Sequence, residues 1–505
     1  MLYSSPMQHI GTRIADIRES LGMTQTELAK KIKTTQSAIA RMEAGGQNIS
    51  ADMLKRIGKA LGKNLITLSP GTVNISVVGG KKLSGTIETN TSKNGAVALL
   101  CASLLNKGTT TLHRMPRIEE VHRIIEVLES IGVKVDWHDT SITITPPKKF
   151  DLGKIDKNAA RKTRSIVMFI GPLIHHIKSF SLPQSGGCKL GSRTVRPHFY
   201  ALENFGVNIK TTEDSFVVKT TNKRVSEVIL YESGDTVTEN TLFATAGRTG
   251  TTIIKYASAN YMVQEVCAFL KLFGVKIEGV GTTTLTITGV ADINQNVEYT
   301  LSEDPTDSMF FLAAAIVTQS EITITRCPIE FLEIELLKLE KMGFKYKKSK
   351  PYFSHNQVTK LVDITTKPSK LKALHEKIHP SVYPGLNIDN LPFFAVIATQ
   401  AKGQTLIHDW VYEKRAIYFT ELDKLGAETV LADPHRIYIN GPTKLRSNEL
   451  ICPPALRPAT ILLIGMLVAT GESVLRNIYS INRGYEKLVE RLASLGASIS
   501  YLDEF

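Results

Sequence analysis

The sequence predicts an α/β fold of six repeated units, preceded by a small all-α bundle. Three observations predict it. A phrase in which a helix runs into glycine and then into a strand recurs six times. A second, strand-like phrase precedes each of those helices by about twenty residues. Ahead of the repeats, residues 10–66 show only helical spacing.

The front bundle comes first. Ile10, Ile14, Ile17 and Leu21 recur at three and four residues and give one apolar face, which Gly22 ends. Thr24 then opens TQTELAKKI with Glu27 three residues on, a capping-box pattern. TQSAIARMEAG follows, closed by Gly45, and ADMLKRIGKALG turns Leu54, Ile57 and Leu61 inward. Two short helices joined by a brief turn form a helix-turn-helix arrangement. The stretch MTQTELAKKIKTTQSAIARMEAG resembles the phage-repressor-like, XRE-type family. That resemblance implies a DNA-binding domain over 1–68 with Thr35–Ala44 as recognition helix. Gln36, Ser37 and Arg41 would face base edges, and Gln25 and Thr35 would sit near phosphates. It also implies a homodimer on a two-fold DNA site. Residues 1–70 hold ten Lys/Arg against five Asp/Glu, a balance of +5 that suits a phosphate backbone. TLSPGTV, 67–73, carries a Pro-Gly turn and reads as the linker.

The repeats follow. LESIGVKV, LENFGVNI, LKLFGVKI, LEKMGFKY, LDKLGAET and LASLGASI place glycines at 132, 206, 274, 343, 426 and 496. Each glycine is expected to take the left-handed conformation just past a helix end. GTTTL, GTTII, SEITI, GQTLI and GESVL, with KSFSL as a degenerate copy, are the strand phrases. Apolar helices such as NGAVALLCASLL and SMFFLAAAIV precede them. Each unit reads strand, helix, strand, helix, strand, and helices apolar on all sides belong between sheets.

Composition narrows the class. The chain has 505 residues, 42% hydrophobic and 22% charged, with a formal charge of +13 and pI near 9.3. Such basicity favours anionic partners. The five cysteines (101, 188, 267, 327 and 452) are odd in number and contain no CxxC pair, which argues for reduced thiols over disulfides or zinc. No apolar run reaches a membrane span, and the first residues lack a signal-peptide pattern, so a cytoplasmic protein without membrane contact is expected.

Several short motifs carry chemistry. SLPQSGGCKLGSR sets Cys188 on a glycine-rich stretch beside Lys189 and Arg193, a setting that lowers a thiol pKa. TNTSKNGAVALL puts Lys93 and Asn94 at a helix start, where a lysine opposes the macrodipole unless an anion binds there. Arg117 in MPRIEEV, Arg164 in KTRSIVMFIGPL, Arg415 in VYEKRAIYF and Arg483 in INRGYEKL supply planar cations suited to carboxylate and phosphate.

Six units with these motifs resemble the enolpyruvyl transferases, in the branch acting on UDP-sugars, over residues 74–503. The resemblance implies two inside-out α/β barrel domains of three repeats each, one over 94–291 and the other over 74–93 plus 292–503. It implies transfer of the enolpyruvyl group of phosphoenolpyruvate to the 3-hydroxyl of UDP-N-acetylglucosamine, a step toward peptidoglycan, without a cofactor or metal. Cys188 would be general acid, and Lys93 and Arg483 would grip phosphoenolpyruvate. Asn94 would hold the sugar or the tetrahedral intermediate, and Arg117, Arg164, Arg193, His198, Val411, Arg415 and Arg457 would complete the substrate side. Asp389 in NIDNLPFF, 26 residues before Arg415, has the spacing of the family's base. EDPTDSM spells the family's base motif literally, but Asp307 lies in the fourth unit and is read as a helix cap.

The chain departs from the family pattern on the nucleotide side. TVRPH follows Arg193 where the family has Pro-Val-Asp-Leu-His, Gly234-Asp235-Thr236 replaces Ser-Val-Gly, ANYM replaces Arg-Glu-Pro-Glu, and Ala455 stands for an Asp. A second reading follows from the front bundle and these departures: a metabolite-sensing transcription regulator built on a degenerate transferase.

Overall fold

The computed structural model describes residues 11, 14–15, 17–19, 21–44, 51–61, 73–184, 194–221 and 223–502. The chain divides into two compact units at Val73/Asn74.

The first unit is helical. Helices Gln25–Lys31, Gln36–Glu43 and Ala51–Leu61 join a preceding helical segment. Thr24 forms the expected capping box: its hydroxyl accepts from Glu27 N at 3.2 Å, and its own N–H donates to Glu27 Oε2 at 2.7 Å. Thr35 caps the next helix by accepting from Ala38 N. Ile14, Leu28, Ile32, Ile39, Met42, Leu54, Ile57 and Leu61 form the core. Leu21 does not join it and is 52% exposed. It lies in the turn after the first helix, where Gly22 at φ +64° swings the chain away. Ile10 and Gly45 lie outside the described residues.

The second unit contains six sheets. In one, strands run in the order Val297–Thr300, Thr110–His113, Ser141–Thr145, Lys134–His138. The first pair is parallel and the rest antiparallel. The same order recurs in Glu227–Ile229, Gly250–Lys255, Thr284–Gly289, Lys276–Glu278, and in Ser84–Glu88, Glu321–Pro328, Lys360–Lys367, Lys345–Lys348. Two sheets have three strands each. In the last sheet, Asn74–Val78 from the start of the unit lies between Glu472–Arg476 and Ser498–Leu502 from its end.

All six strand phrases are strands, and all six helix-ending glycines have φ between +73° and +100°. In the first five units the strand after the glycine folds back as a hairpin and adds a strand that was not expected. Lys134–His138 turns at Asp139 (φ +53°) into Ser141–Thr145, for example. The turn is too short to read as a break in a β-rich run.

The apolar helices lie inside. Every residue of Pro305–Val317 and of Leu391–Ala398 is buried, as are Gly95–Ala102 of Lys93–Ala102. The sheets cover them with one alternating face, as where Ile142 and Ile144 of Ser141–Thr145 are buried and the residues between and beside them are not. In the degenerate second repeat the inner helix is broken into a 3-10 turn Arg164–Phe169 and a short helix Ile170–Leu173. Among the described residues, no helix is long and apolar enough to cross a membrane.

Candidate active site

The site forms where two stretches of the chain, 90–92 and 302–304, cross side by side between the sheet of Ser84–Glu88 and that of Val297–Thr300. Ser92 N donates to Ser302 O and Asp304 N to Asn90 O, both at 2.8 Å. Ser92 ends the first crossing and caps helix Lys93–Ala102, its hydroxyl accepting from Gly95 N at 2.9 Å. Lys93 is therefore held at the first position of a helix whose remaining face is core, and its side chain has one way to go.

Lys93 lies among Glu120, Arg483, Asp389 and Arg457. Burial pulls its pKa below the usual lysine value; Arg483 and Arg457 pull the same way, and Glu120 and Asp389 oppose them. Arg483 forks onto Glu120 Oε2 from Nε at 3.0 Å and Nη2 at 2.8 Å. Thr163 donates to the other oxygen at 2.7 Å. Burial alone would raise the Glu120 pKa; Arg483 and Lys93 outweigh it and hold the carboxylate ionised. Arg457 donates to Asp389 Oδ2 at 3.2 Å, to Thr306 at 3.0 Å and to the Tyr485 hydroxyl at 2.8 Å. Burial likewise opposes Asp389 ionisation, but Arg457, Arg415 and Lys93 bring its pKa below the ordinary value. Three cations and two carboxylates thus share one small volume, with the cations in excess.

The other expected residues are placed less uniformly. Asn94 donates to the Tyr261 hydroxyl at 3.3 Å. Arg117 lies 4.3 Å over the Trp137 ring, and its peptide N–H donates to Glu486 across the crossing. Arg164 donates to Thr194 O at 2.8 Å and lines the cleft with Val411. His198 is buried between Asn240 and Thr236, and burial lowers its pKa to about 3, so the ring is neutral. Arg415 is fully buried, paired with Asp409, bonded to Ile388 O at 2.8 Å and stacked on Tyr412. It supports the Asp389 segment from behind and does not line the cleft. Cys188 and Arg193 lie outside the described residues.

Asp307 is not the helix cap. Asp304 holds that position, accepting from Thr306 N at 2.8 Å. Asp307, in the first turn, takes both nitrogens of Arg491 at 2.7 and 2.8 Å. The literal Pro-Thr-Asp spelling placed the cap three residues late, because the side chain before the proline is the one free to reach back.

A cleft of about 480 Å³ passes Asn387 and Ile388, the residues just before Asp389. Phe331, Tyr383, Trp410 and Tyr412 line it, with Glu232, Asp235, Glu330, Glu333, Glu335 and Glu413. Glu120, Tyr261 and Tyr485 are the site members to which the sequence reading assigned no role. Glu120 and Tyr485 sit inside motifs that drew attention for their arginines, and Tyr261 sits in a departure.

In the helical unit, Gln36 donates to Gln25 at 2.7 Å and Gln25 to Glu43 at 2.8 Å, while Glu43 pairs with Arg18 at 2.6 Å in the interior. Thr35, Gln36, Ser37 and Arg41 are exposed together at the start and outer face of their helix.

Residues 77–492 match the EPSP synthase (3-phosphoshikimate 1-carboxyvinyltransferase) family, and residues 14–68 match a helix-turn-helix family. The UDP-N-acetylglucosamine 1-carboxyvinyltransferase of Treponema denticola is 33% identical over 84% of this chain and 98% of its own length. That of Bradyrhizobium diazoefficiens is 30% identical over 85% and 98%. Among solved structures, the enolpyruvyl transferase NikO from Streptomyces tendae superposes with a TM-score of 0.73 at 22% identity, covering 86% of this chain and all of that one. EPSP synthase from Acinetobacter baumannii reaches 0.65 at 17% identity, over 86% of this chain and 100% of its own. With its six α/β repeats and the cations gathered at its two crossings, the chain belongs to the enolpyruvyl transferase (EPSP synthase) family and carries a helix-turn-helix unit in front.

Proposed function

We propose that the protein transfers the enolpyruvyl group of phosphoenolpyruvate to the 3-hydroxyl of UDP-N-acetylglucosamine, releasing phosphate. The observation that carries this is the convergence of Lys93, Arg483 and Arg457 beside an ionised Asp389. The two lobes, taken as 94–291 and as 74–93 plus 292–503, meet around these residues. A small trianion needs fixed cations, and buried ones act far more strongly than solvated ones. Phosphoenolpyruvate takes over Arg483 and Lys93 from Glu120. Asp389 takes the proton of the sugar hydroxyl as its oxygen adds to C2, and the Cys188 thiol protonates C3. Loss of a proton from C3 then expels phosphate and restores the double bond. Arg164, Val411, Asn94 and His198 belong to the acceptor side, with Arg117 and Arg193 on the anion.

Phosphate release from phosphoenolpyruvate plus UDP-N-acetylglucosamine tests the proposal; no turnover at enzyme concentrations that reveal slow rates overturns it. Alkylation by an epoxide phosphonate such as fosfomycin is expected at Cys188. Cys101, Cys267, Cys327 and Cys452 are buried, the last three with thiols pushed up to about 12. Mass-spectrometric label on any of those four counts against a reactive Cys188.

The helix-turn-helix unit favours a second activity, DNA binding through Gln36, Ser37 and Arg41 with Gln25 and Thr35 at the backbone, by two copies on a two-fold site. Operator binding that responds to either substrate while phosphate release is absent supports the regulator reading instead.

A further inference from the structure

We propose that Tyr261 is a positioning residue for this reaction: its phenol holds the Asn94 carboxamide with the oxygen end turned to the acceptor sugar, and Glu265, one helical turn on, anchors the turn beneath. The inference rests on the enolpyruvyl-transfer reading and concerns side chains to which that reading gives no task.

Tyr261 and Glu265 are four residues apart on helix Tyr261–Leu272, hence on one face. That face meets the first turn of helix Lys93–Ala102. Tyr261 is 3% exposed, and Asn94 Nδ2 donates to its oxygen at 3.3 Å. A carboxamide can present either a donor or an acceptor, and the two ends differ little in shape. A phenol that takes the Nδ2 end leaves Oδ1 to accept from a sugar hydroxyl. The phenol itself stays protonated: burial, with Asp304 and Asp389 nearby, pushes its pKa well above the usual tyrosine value. The Asp389 carboxylate that acts on it is the proposed base.

Glu265 supports the same turn from below. Its Oε1 accepts from Ser302 N at 2.5 Å, and Ser302 O accepts from Ser92 N at 2.8 Å, so the carboxyl is tied to the residue that caps the Lys93 helix. A Cβ on residue 95 would stand 1.9 Å from Glu265 Oε2. Glycine at 95 is what lets the carboxyl close on the turn. The ring of Tyr261 is fixed on its other side by Phe331, edge-on at 5.8 Å, and Phe331 lines the cleft.

The experiment compares the full-length wild type, Tyr261→Phe, Asn94→Ala and the double variant, by calorimetric titration with UDP-N-acetylglucosamine and by initial rates. Phenylalanine keeps the ring packing and removes only the oxygen. The expected result is an acceptor Kd raised roughly fivefold, the worth of one hydrogen bond. The KM for phosphoenolpyruvate and the melting temperature should stay as in wild type, and Tyr261→Phe should have no further effect once Asn94 is alanine. An unchanged acceptor Kd, an equal rise in the phosphoenolpyruvate KM, or additive effects in the double variant overturns the role. Wild type that takes phosphoenolpyruvate but no UDP-N-acetylglucosamine is a separate failure: it removes the acceptor reading, and the role of Tyr261 with it.

Discussion

The inner site around Lys93 and the cleft that passes Asn387 and Ile388, next to Asp389 in the chain, are opposite in charge. At the inner site, Lys93, Arg483 and Arg457 lie with Glu120 and Asp389. In the outer cleft, six carboxyl side chains and one guanidinium, that of Arg164, line the cavity among the described residues. The inner site is suited to a small, highly charged anion. The outer cleft, with five aromatic rings among its acids, offers ring faces and hydrogen-bond acceptors and little to neutralise a diphosphate. Three of the four departures in sequence reach this cavity, at Thr194, at Gly234 and Asp235, and at Asn260, whereas Ala455 begins the helix Leu456–Val468 that carries Arg457.

The contrast breaks most sharply at Lys93. Lys93→Ala is expected to lower kcat by about 10³-fold, since no other side chain replaces a buried cation aimed at developing charge. A rate within tenfold of wild type removes the inner cluster from catalysis. Asp389→Asn keeps the shape and the Arg457 contact but cannot take a proton, and should cost about 10²-fold in kcat with a near-normal phosphoenolpyruvate KM. A normal rate moves the base elsewhere.

The buried acid behind the inner site gives a third test. Burial, with Glu303 and Asp304 nearby, raises the Glu265 pKa to about 7, against an ordinary 4.5. Between those values the folded chain binds more protons than the unfolded one, so this group lowers stability as pH rises from about 4.5 to about 7. Glu265→Gln removes the effect. The variant should gain on wild type between pH 5 and pH 8 by about 2.5 kcal/mol, read by denaturant melts at both pH values. A constant difference means the carboxyl titrates normally. The smallest effect belongs to the outer cleft. Glu232→Lys should tighten UDP-N-acetylglucosamine by about threefold at low salt and less at high salt. No gain means that the acceptor's phosphates do not pass Glu232.

Much of this was legible locally. The glycines past each helix, the strand phrases, the Thr24–Glu27 box and the inward faces of the front bundle each depend on neighbours within a few residues. The contacts that define the site do not. Glu120 meets Arg483 across 363 residues and Asp389 meets Arg457 across 68, and no spacing rule links either pair. The arginines drew attention as cations, whereas Glu120, the carboxylate that holds Arg483, looked like an ordinary helix-start acid. Arg415 shows the reverse case: a motif arginine that serves packing, because Asp409, six residues earlier, takes its guanidinium. The hairpin strands at Ser141–Thr145 and Arg436–Gly441 were missed because their two-residue turns hardly interrupt the β-rich run.

The strand Asn74–Val78 has a consequence for how the protein is made. It leaves the ribosome directly after the helical unit, yet both strands that flank it, Glu472–Arg476 and Ser498–Leu502, follow only after the rest of the six repeats. Among the described residues, the helical unit's core is built from residues 14–61. A nascent chain therefore holds the whole of that core while the sheet around Asn74–Val78 still has an open seam, and the seam shuts only once Ser498–Leu502 has emerged.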